Sequence, residues 1–481
     1  MRPLRNPWIT AALLVLAAAL PYFTRRAERW RPVGVSQLRQ TFMDPFRGHA
    51  RSRLWERIPP PPATGPAVRP EVRPEAAPKP GVQDPSVPAP TRKTPTAGPP
   101  DPAALDLLSD PTGSLKPFHE ALARTEQGEG LTRIVHFGDS VVTGDLITGE
   151  ARARLQQAYG DGGPGWIYLQ RPWEWYGRLG LTLKGRAWRI HSPVLTWRQD
   201  QFYGLAGLAF SSAGGAETIF TTTKAQPFDA VELHYLAQAK GGRVLVQVDK
   251  APELEVRLDG EPGASVKALP VDGAHSLTVR AKGDAVLYGV VLERRGAGVV
   301  YDPLGQNGYA IQHLARIDSR HWVQALRLRR PELVVLAFGT NEVGYYNIPG
   351  PAYAADYREV VRRIREALPS AAILIMGPMD RGERKVEGGL GTMPNLVRIV
   401  EAQKKIAAEL GVAFFDTYRA MGGEGSAGRW YNATPRLMTG DFTHPTRGGA
   451  DRIAKSFIDA LLLRHQAWKG SQPAVQAGGS R

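Results

Sequence analysis

The sequence predicts an α/β domain interrupted by a β-rich insertion, and three observations predict it. From about residue 104, short apolar runs that end in Gly or polar turns alternate with helix-period segments. Between about 173 and 299 the helical segments drop out, leaving short alternating runs separated by Gly, Pro and Asp. After 300 the α/β rhythm returns.

In chain order, Leu115 to Ala123 reads as a short amphipathic helix. Arg133 to Phe137 is an apolar strand that runs into Gly138-Asp139-Ser140, and Asp145 to Tyr159 reads as a helix. The runs Ala230–Leu236, Arg243–Val248, Ser276–Val279 and Ala285–Leu292 suggest a sandwich or jelly roll. Beyond them, Leu333–Phe338, Ile373–Gly377 and Val412–Phe415 read as strands. Tyr353–Leu368, Leu396–Leu410 and Gly448–Leu463 read as helices. The chain contains no internal repeat.

Two segments stand outside this scheme. Arg2 and Arg5 precede an apolar run from Trp8 to Phe23, with Ala17-Ala18-Ala19 as a site for cleavage. Its 16 residues fall short of the about 20 of a spanning helix, so signal peptide and signal anchor both stay open over 1–31. Arg25, Arg26, Arg29 and Arg31 behind the run favour cytoplasmic retention, against the export expected on other grounds. Residues 59–102 contain 16 prolines in 44 positions, too many for a packed core, and 32–103 reads as a basic, Pro-rich linker. The folded units are expected at 104–172 and 300–466, with the insertion at 173–299 between them and a disordered tail at 467–481.

Composition narrows the chemistry. With no cysteine, the chain has no disulfide, thiolate metal site or cysteine nucleophile. The net charge of +15 invites a nucleic-acid reading, but residues 1–100 hold 16 basic and 6 acidic groups. The remaining 381 residues are close to balanced, with 45 basic and 40 acidic groups. The basicity therefore belongs to the leader and tether, and no nucleic-acid partner is expected.

Four short motifs carry the candidate chemistry. Ser140 follows a strand and precedes a helix, the position where open α/β sheets place their ligands. Gly339-Thr340-Asn341-Glu342 also follows a strand, and an Asn amide there can donate to a developing oxyanion. Asp441-Phe442-Thr443-His444 places a carboxylate three residues from an imidazole, as an acyl-transfer serine requires of its base. Leu304-Gly305-Gln306-Asn307-Gly308-Tyr309 follows the insertion, and Gly308 can offer an unobstructed backbone N–H. The other nine histidines, His136 among them, lack such a setting and read as structural. No residue set offers a metal site, and no cofactor is expected.

In this order the motifs GDS (138–140), Asn-Gly (307–308), GTNE (339–342) and DFTH (441–444) resemble the four blocks of the SGNH (GDSL-like) hydrolases. The stretches HFGDSVVTGD (136–145), GDGGPGWIY (160–168), GVVYDPLGQNG (298–308) and DFTHPTRGG (441–449) are similar to the bacterial peptidoglycan O-acetylesterase group. That group carries a carbohydrate-binding-like β domain between the first and second blocks. The resemblance covers roughly 104–466.

It implies a three-layer α/β/α fold with a flavodoxin-like parallel sheet. It also implies Ser140 as nucleophile, His444 as base and Asp441 as its orienter, with an oxyanion hole of the Ser140 and Gly308 N–H groups and the Asn341 side chain. Glu342 departs from the Asp more usual there, at a position not expected to touch the acyl group. The expected activity is removal of O-acetyl groups from a cell-envelope glycan, peptidoglycan foremost, in the periplasm or otherwise outside the cytoplasm, with 8–23 as a possible membrane tether. The rivals are an O-acetyltransferase using the same triad and a non-catalytic glycan-binding protein. Trp173, Trp175, Trp188 and Trp197 are candidates for stacking on sugar rings, with core packing as the alternative for each.

Overall fold

The computed structural model describes residues 99–345, 348–385 and 388–472. The apolar run at 8–23 and nearly all of the proline linker lie outside the described residues. Among the described residues no helix is long and apolar enough to cross a membrane.

The central sheet has six strands: β1 (Leu108–Ser109), β2 (Leu131–Gly138), β3 (Gly298–Gly305), β4 (Leu333–Ala337), β5 (Ala372–Met376) and β6 (Ala413–Phe415), in the spatial order β1-β6-β5-β4-β2-β3. All neighbours are parallel except β1, which runs antiparallel to β6. The five parallel strands follow the flavodoxin-like order, in which the chain goes from β2 to an edge and then returns to β2's other side.

Successive residues along β4 and β5 point to opposite faces, so Leu333 and Val335 enter one core and Val334 and Leu336 the other. One face packs on α1 (Lys116–Glu126), α3 (Leu146–Tyr159) and the closing helix Arg447–Ser471, through Phe118, Leu155, Phe457 and Leu461. The other packs on α4 (Ile311–Arg316), α5 (Ser319–Arg329), α6 (Pro351–Ala367) and α7 (Pro394–Leu410), through Leu314, Leu326, Val360 and Val400. Between α1 and α3 lies the single turn α2 (Ser140–Thr143). Helices α4 and α5 were not foreseen from the sequence, because α4 is too short to show a period and α5 carries four basic or histidine side chains in eleven residues. The closing helix passes the expected domain end at 466 and corrects the disordered-tail reading for 467–471. There His465 stacks on Trp468 and Lys469 pairs with Glu126 at 2.7 Å.

The segment between β2 and β3 forms two antiparallel sheets. One has the order Leu254–Arg257, Arg243–Val248, Ser276–Lys282, Glu217–Thr222, Leu181–Arg186. The other has the order Gly263–Ala274, Phe228–Ala237, Ala285–Glu293, Ala209–Ser212, Arg189–His191. Gly165–Ile167, placed by sequence before the insertion, pairs with Ala285–Glu293 and so joins the second sheet.

These sheets share a continuous apolar core with the α4–α7 face, and buried charges cross the junction. Arg329 of α5 reaches Asp302 of β3 at 2.6 Å and Glu293 of the insertion at 2.7 Å, while Arg133 of β2 reaches Glu293 at 2.8 Å. Removing one partner of such a buried set leaves an uncompensated charge, which fixes the relative placement of the two parts.

Candidate active site

Three strands end level with one another. Gly305 of β3 and Ala337 of β4 both pair with Gly138 of β2, so the loops that follow leave the sheet at one height, between the strands where the order reverses. The turn α2 sits directly on these ends. A Cβ at Gly138 would lie 2.4 Å from Val142 Cγ2, and one at Gly305 would lie 2.5 Å from the Thr143 backbone N. Glycine at both positions is what lets α2 approach the sheet and present Ser140 at its first residue.

Asp139 caps this turn, its carboxylate accepting from the Val141 N–H at 3.0 Å. Burial pushes the Asp139 carboxyl above its ordinary value, opposed by that N–H.

The DFTH loop comes from the opposite end of the chain. Asp441 Oδ1 accepts from the Thr443 N–H at 2.9 Å, the His444 N–H at 3.0 Å and the Thr439 hydroxyl at 2.7 Å. Its Oδ2 lies 2.6 Å from His444 Nδ1, and His444 Nε2 lies 2.8 Å from Ser140 Oγ. Burial alone would raise the Asp441 carboxyl, but the His444 ring and the N–H donors outweigh it and hold the group well below the usual carboxylate range. The loop is closed by the Thr439 N–H donating to the His444 carbonyl at 2.9 Å.

Asn341 follows β4, and its amide Nδ2 donates to the Tyr309 carbonyl at 2.8 Å. Gly308, just before Tyr309, is exposed, with φ +71° and open space where a Cβ would stand. Gly305, by contrast, is buried in the β2–β3 ladder.

The sequence-selected residues Ser140, Asn341, Asp441, His444 and Gly308 thus surround one end of the sheet. His136 is set apart from them. Burial pushes it down to about 3, and its Nδ1 shares a 2.7 Å hydrogen bond with the Tyr301 hydroxyl inside the fold. Among the described residues no group of three or more His, Cys, Asp or Glu is placed to hold a metal ion.

Sequence reasoning missed three supports of the site. Thr439 fixes Asp441, the Tyr309 carbonyl fixes the Asn341 amide, and Glu342 is fully buried between loops. Thr439 and Tyr309 carried no signal beyond proximity to a motif.

The tryptophans divide. Trp188 is buried, with its Nε1–H on the Thr218 hydroxyl at 2.8 Å, and Trp173 packs on the core. Trp175 and Trp197 stand 46% and 62% exposed. Trp175 is pinned beside the site, its Nε1–H donating to Asn307 Oδ1 at 3.2 Å. Three residues on, Arg178 makes a buried ion pair at 3.0 Å with Asp145, the residue before α3. Burial would raise the Asp145 carboxyl, but Arg152 and Arg178 bring it down to about 2.

Residues 273–452 match the GDSL-like lipase/acylhydrolase family model, a span that takes in Asn341, Asp441 and His444 but begins after Ser140. Among solved structures, a peptidoglycan O-acetylesterase aligns with 75% of this chain and 99% of its own at 24% identity and a TM-score of 0.66. A family two carbohydrate esterase from Clostridium thermocellum aligns with 55% of this chain and 96% of its own at 13% identity, with a TM-score of 0.26. A carbohydrate esterase family 3 protein from Talaromyces cellulolyticus aligns with 34% of this chain and 72% of its own at 16% identity, with a TM-score of 0.25. Scores at that level bear no weight. No curated protein sequence matches the chain. With this sheet and the acylhydrolase match over 273–452, the chain is a carboxylic ester hydrolase of SGNH fold that resembles the peptidoglycan O-acetylesterase group.

Proposed function

We propose that the protein is a carbohydrate O-acetylesterase acting on an O-acetylated cell-envelope glycan, peptidoglycan foremost, outside the cytoplasm. The observation that carries the reading is the unbroken hydrogen-bond chain from Asp441 through His444 to Ser140.

In this reading His444 Nε2 takes the Ser140 proton as Oγ attacks the acetyl carbonyl, and Asp441 holds the ring's Nδ1–H so that Nε2 faces the serine. The oxyanion that develops meets the Ser140 N–H, one of the first-turn donors with no acceptor inside its helix, together with the Gly308 N–H and the Asn341 amide. Tyr309 engages one N–H of that amide and leaves the other for substrate. His444 then returns the proton to the departing sugar oxygen, and water activated by the same ring releases acetate from Ser140.

The sugar preference rests on the insertion, read as a carbohydrate-binding-like β-sandwich, and on Trp175. That exposed indole, held against the loop before Gly308, offers a flat apolar face to a sugar ring.

The test is acetate release from O-acetylated peptidoglycan and from an aryl acetate by the full chain and by Ser140→Ala. Release from both substrates that falls roughly 10³-fold or more in the variant is expected. Hydrolysis of the aryl ester alone would remove peptidoglycan as substrate, and no release from either would remove the esterase reading.

A further inference from the structure

Glu342 carries no exposed surface, yet it sits one residue after Asn341 in the loop at the end of β4. Its two carboxylate oxygens are divided between two segments. Oε2 accepts from the Gly339 N–H at 3.0 Å, closing its own loop. Oε1 accepts from the Ile311 N–H at 3.1 Å, the first residue of α4 and three positions after Gly308. A second tie runs alongside, from the Asn341 amide to the Tyr309 carbonyl. The two loops that bring Asn341 and Gly308 to the site are thus joined through one buried carboxylate and one half-buried amide.

We propose that Glu342 is a positioning residue for the oxyanion site, its carboxylate setting the spacing between the Gly308 N–H and the Asn341 amide by holding one backbone N–H from each loop. The proposal rests on the esterase reading above.

The physical case is one of geometry and charge. Donors to an oxyanion act only if their separation is fixed before the reaction, since a misplacement of about 1 Å is enough to cost about 10²-fold.

Among the described residues no cation is paired with this carboxylate. Burial pushes it up to about 7 despite the Ile311 N–H, and Asp139 across the nucleophile turn pushes in the same direction. The other ionisable groups facing it are the hydroxyls of Tyr353 and Tyr357 on α6. Protonation converts one acceptor oxygen into a donor, so the two-loop tie weakens as pH falls through neutrality.

The experiment compares the full-length wild type with E342Q and E342D on an aryl acetate, with S140A as the blank. In E342Q the amide nitrogen opposes one of the two N–H groups. The expected result is a kcat loss of about tenfold or more with KM within about twofold, because only transition-state contacts are disturbed. E342D keeps both acceptors but, one methylene shorter, reaches about 1.5 Å less far, so it is expected to lose kcat as well, by about tenfold, while keeping the steep acid limb. The acid limb of kcat in the wild type is expected to be steeper than one proton gives, and E342Q is expected to flatten it.

Equal kcat and equal limbs in wild type and E342Q overturn the proposal and leave the esterase reading standing. A lower melting temperature with kcat unchanged below it also overturns the proposal, by making Glu342 purely structural. If E342Q does not fold, the wild-type and E342D limbs decide: a one-proton limb in both overturns it, and a steeper one in both upholds it. A wild type no more active than S140A overturns both readings.

Discussion

Two carboxylates serve this site from two different regions. Asp441 lies in an exposed loop near the C-terminus, and Glu342 lies in a sealed junction between the β4 loop and α4. Both accept backbone N–H groups, yet their acidities move in opposite directions. Asp441 faces an imidazole at 2.6 Å and is held well down, whereas Glu342, paired with no cation among the described residues, is taken by burial up to about 7. Accepting N–H groups is therefore not enough to keep a carboxylate ionised at neutral pH. What differs is the His444 ring against Asp441 and the full burial of Glu342. Asp441 is built to stay charged through the reaction, and Glu342 to hold backbone.

The sharpest way to break the comparison is at Asp441. Asp441→Asn keeps the shape but lets the His444 ring adopt the wrong tautomer, and kcat should fall by about 10⁴-fold with folding intact. A steady-state assay beside a thermal melt checks this, and a loss under tenfold would remove Asp441 as orienter. Next is Asn341→Ala, expected to cost about 10²–10³-fold in kcat while KM changes little. A stability loss with intact kcat would instead make Asn341 a strut for Tyr309.

A smaller and more selective effect is expected at Trp175→Ala. Activity on the acetylated glycan should fall about tenfold, the worth of one stacked ring, while aryl acetate turnover stays within about twofold. Equal loss on both substrates would move Trp175 from sugar contact to loop support.

The smallest effect is on stability. The folded-state value of Glu342, about 7, lies above its ordinary 4.5, so its contribution to folding is complete below about 4.5 and is lost as pH rises through 7. Asp441 is the reverse, contributing above the ordinary carboxylate range and losing that contribution as pH falls through it. The melting temperature of E342Q should accordingly fall less between pH 5 and 8 than that of the wild type. Parallel curves for the two proteins would show that Glu342 is ionised as readily in the fold as in the open chain.

Much of the fold was legible in local pattern. The strand from Arg243 to Val248 emerged with its predicted bounds, and β2, β4, β5 and β6 differ from their expected spans by one or two residues at an end. Such elements declare themselves because apolar period and Gly or Asp punctuation are properties of neighbouring residues. The insertion's limits were harder to read. Gly165–Ile167 was read as lying before the insertion, and its allegiance depends on pairing with Val290, Val291 and Leu292. The helix beyond 466 was hidden because its support comes from Glu126 and from His119 packing, neither close in sequence.

The sequence by itself determined the order of the elements, the four motifs and the residue types available for acyl chemistry, since each is written within a few neighbouring positions. Tertiary structure alone decided that Gly305, Gly138 and Ala337 end level, that Ser140 and His444 meet across 304 positions, and that Trp175 rather than Trp188 is left exposed. It also decided that Glu342, in a position first read as incidental, joins two loops. Register, burial and hydrogen-bond partner are relations between distant segments, and they come into being only when the sheet and its loops close on one another.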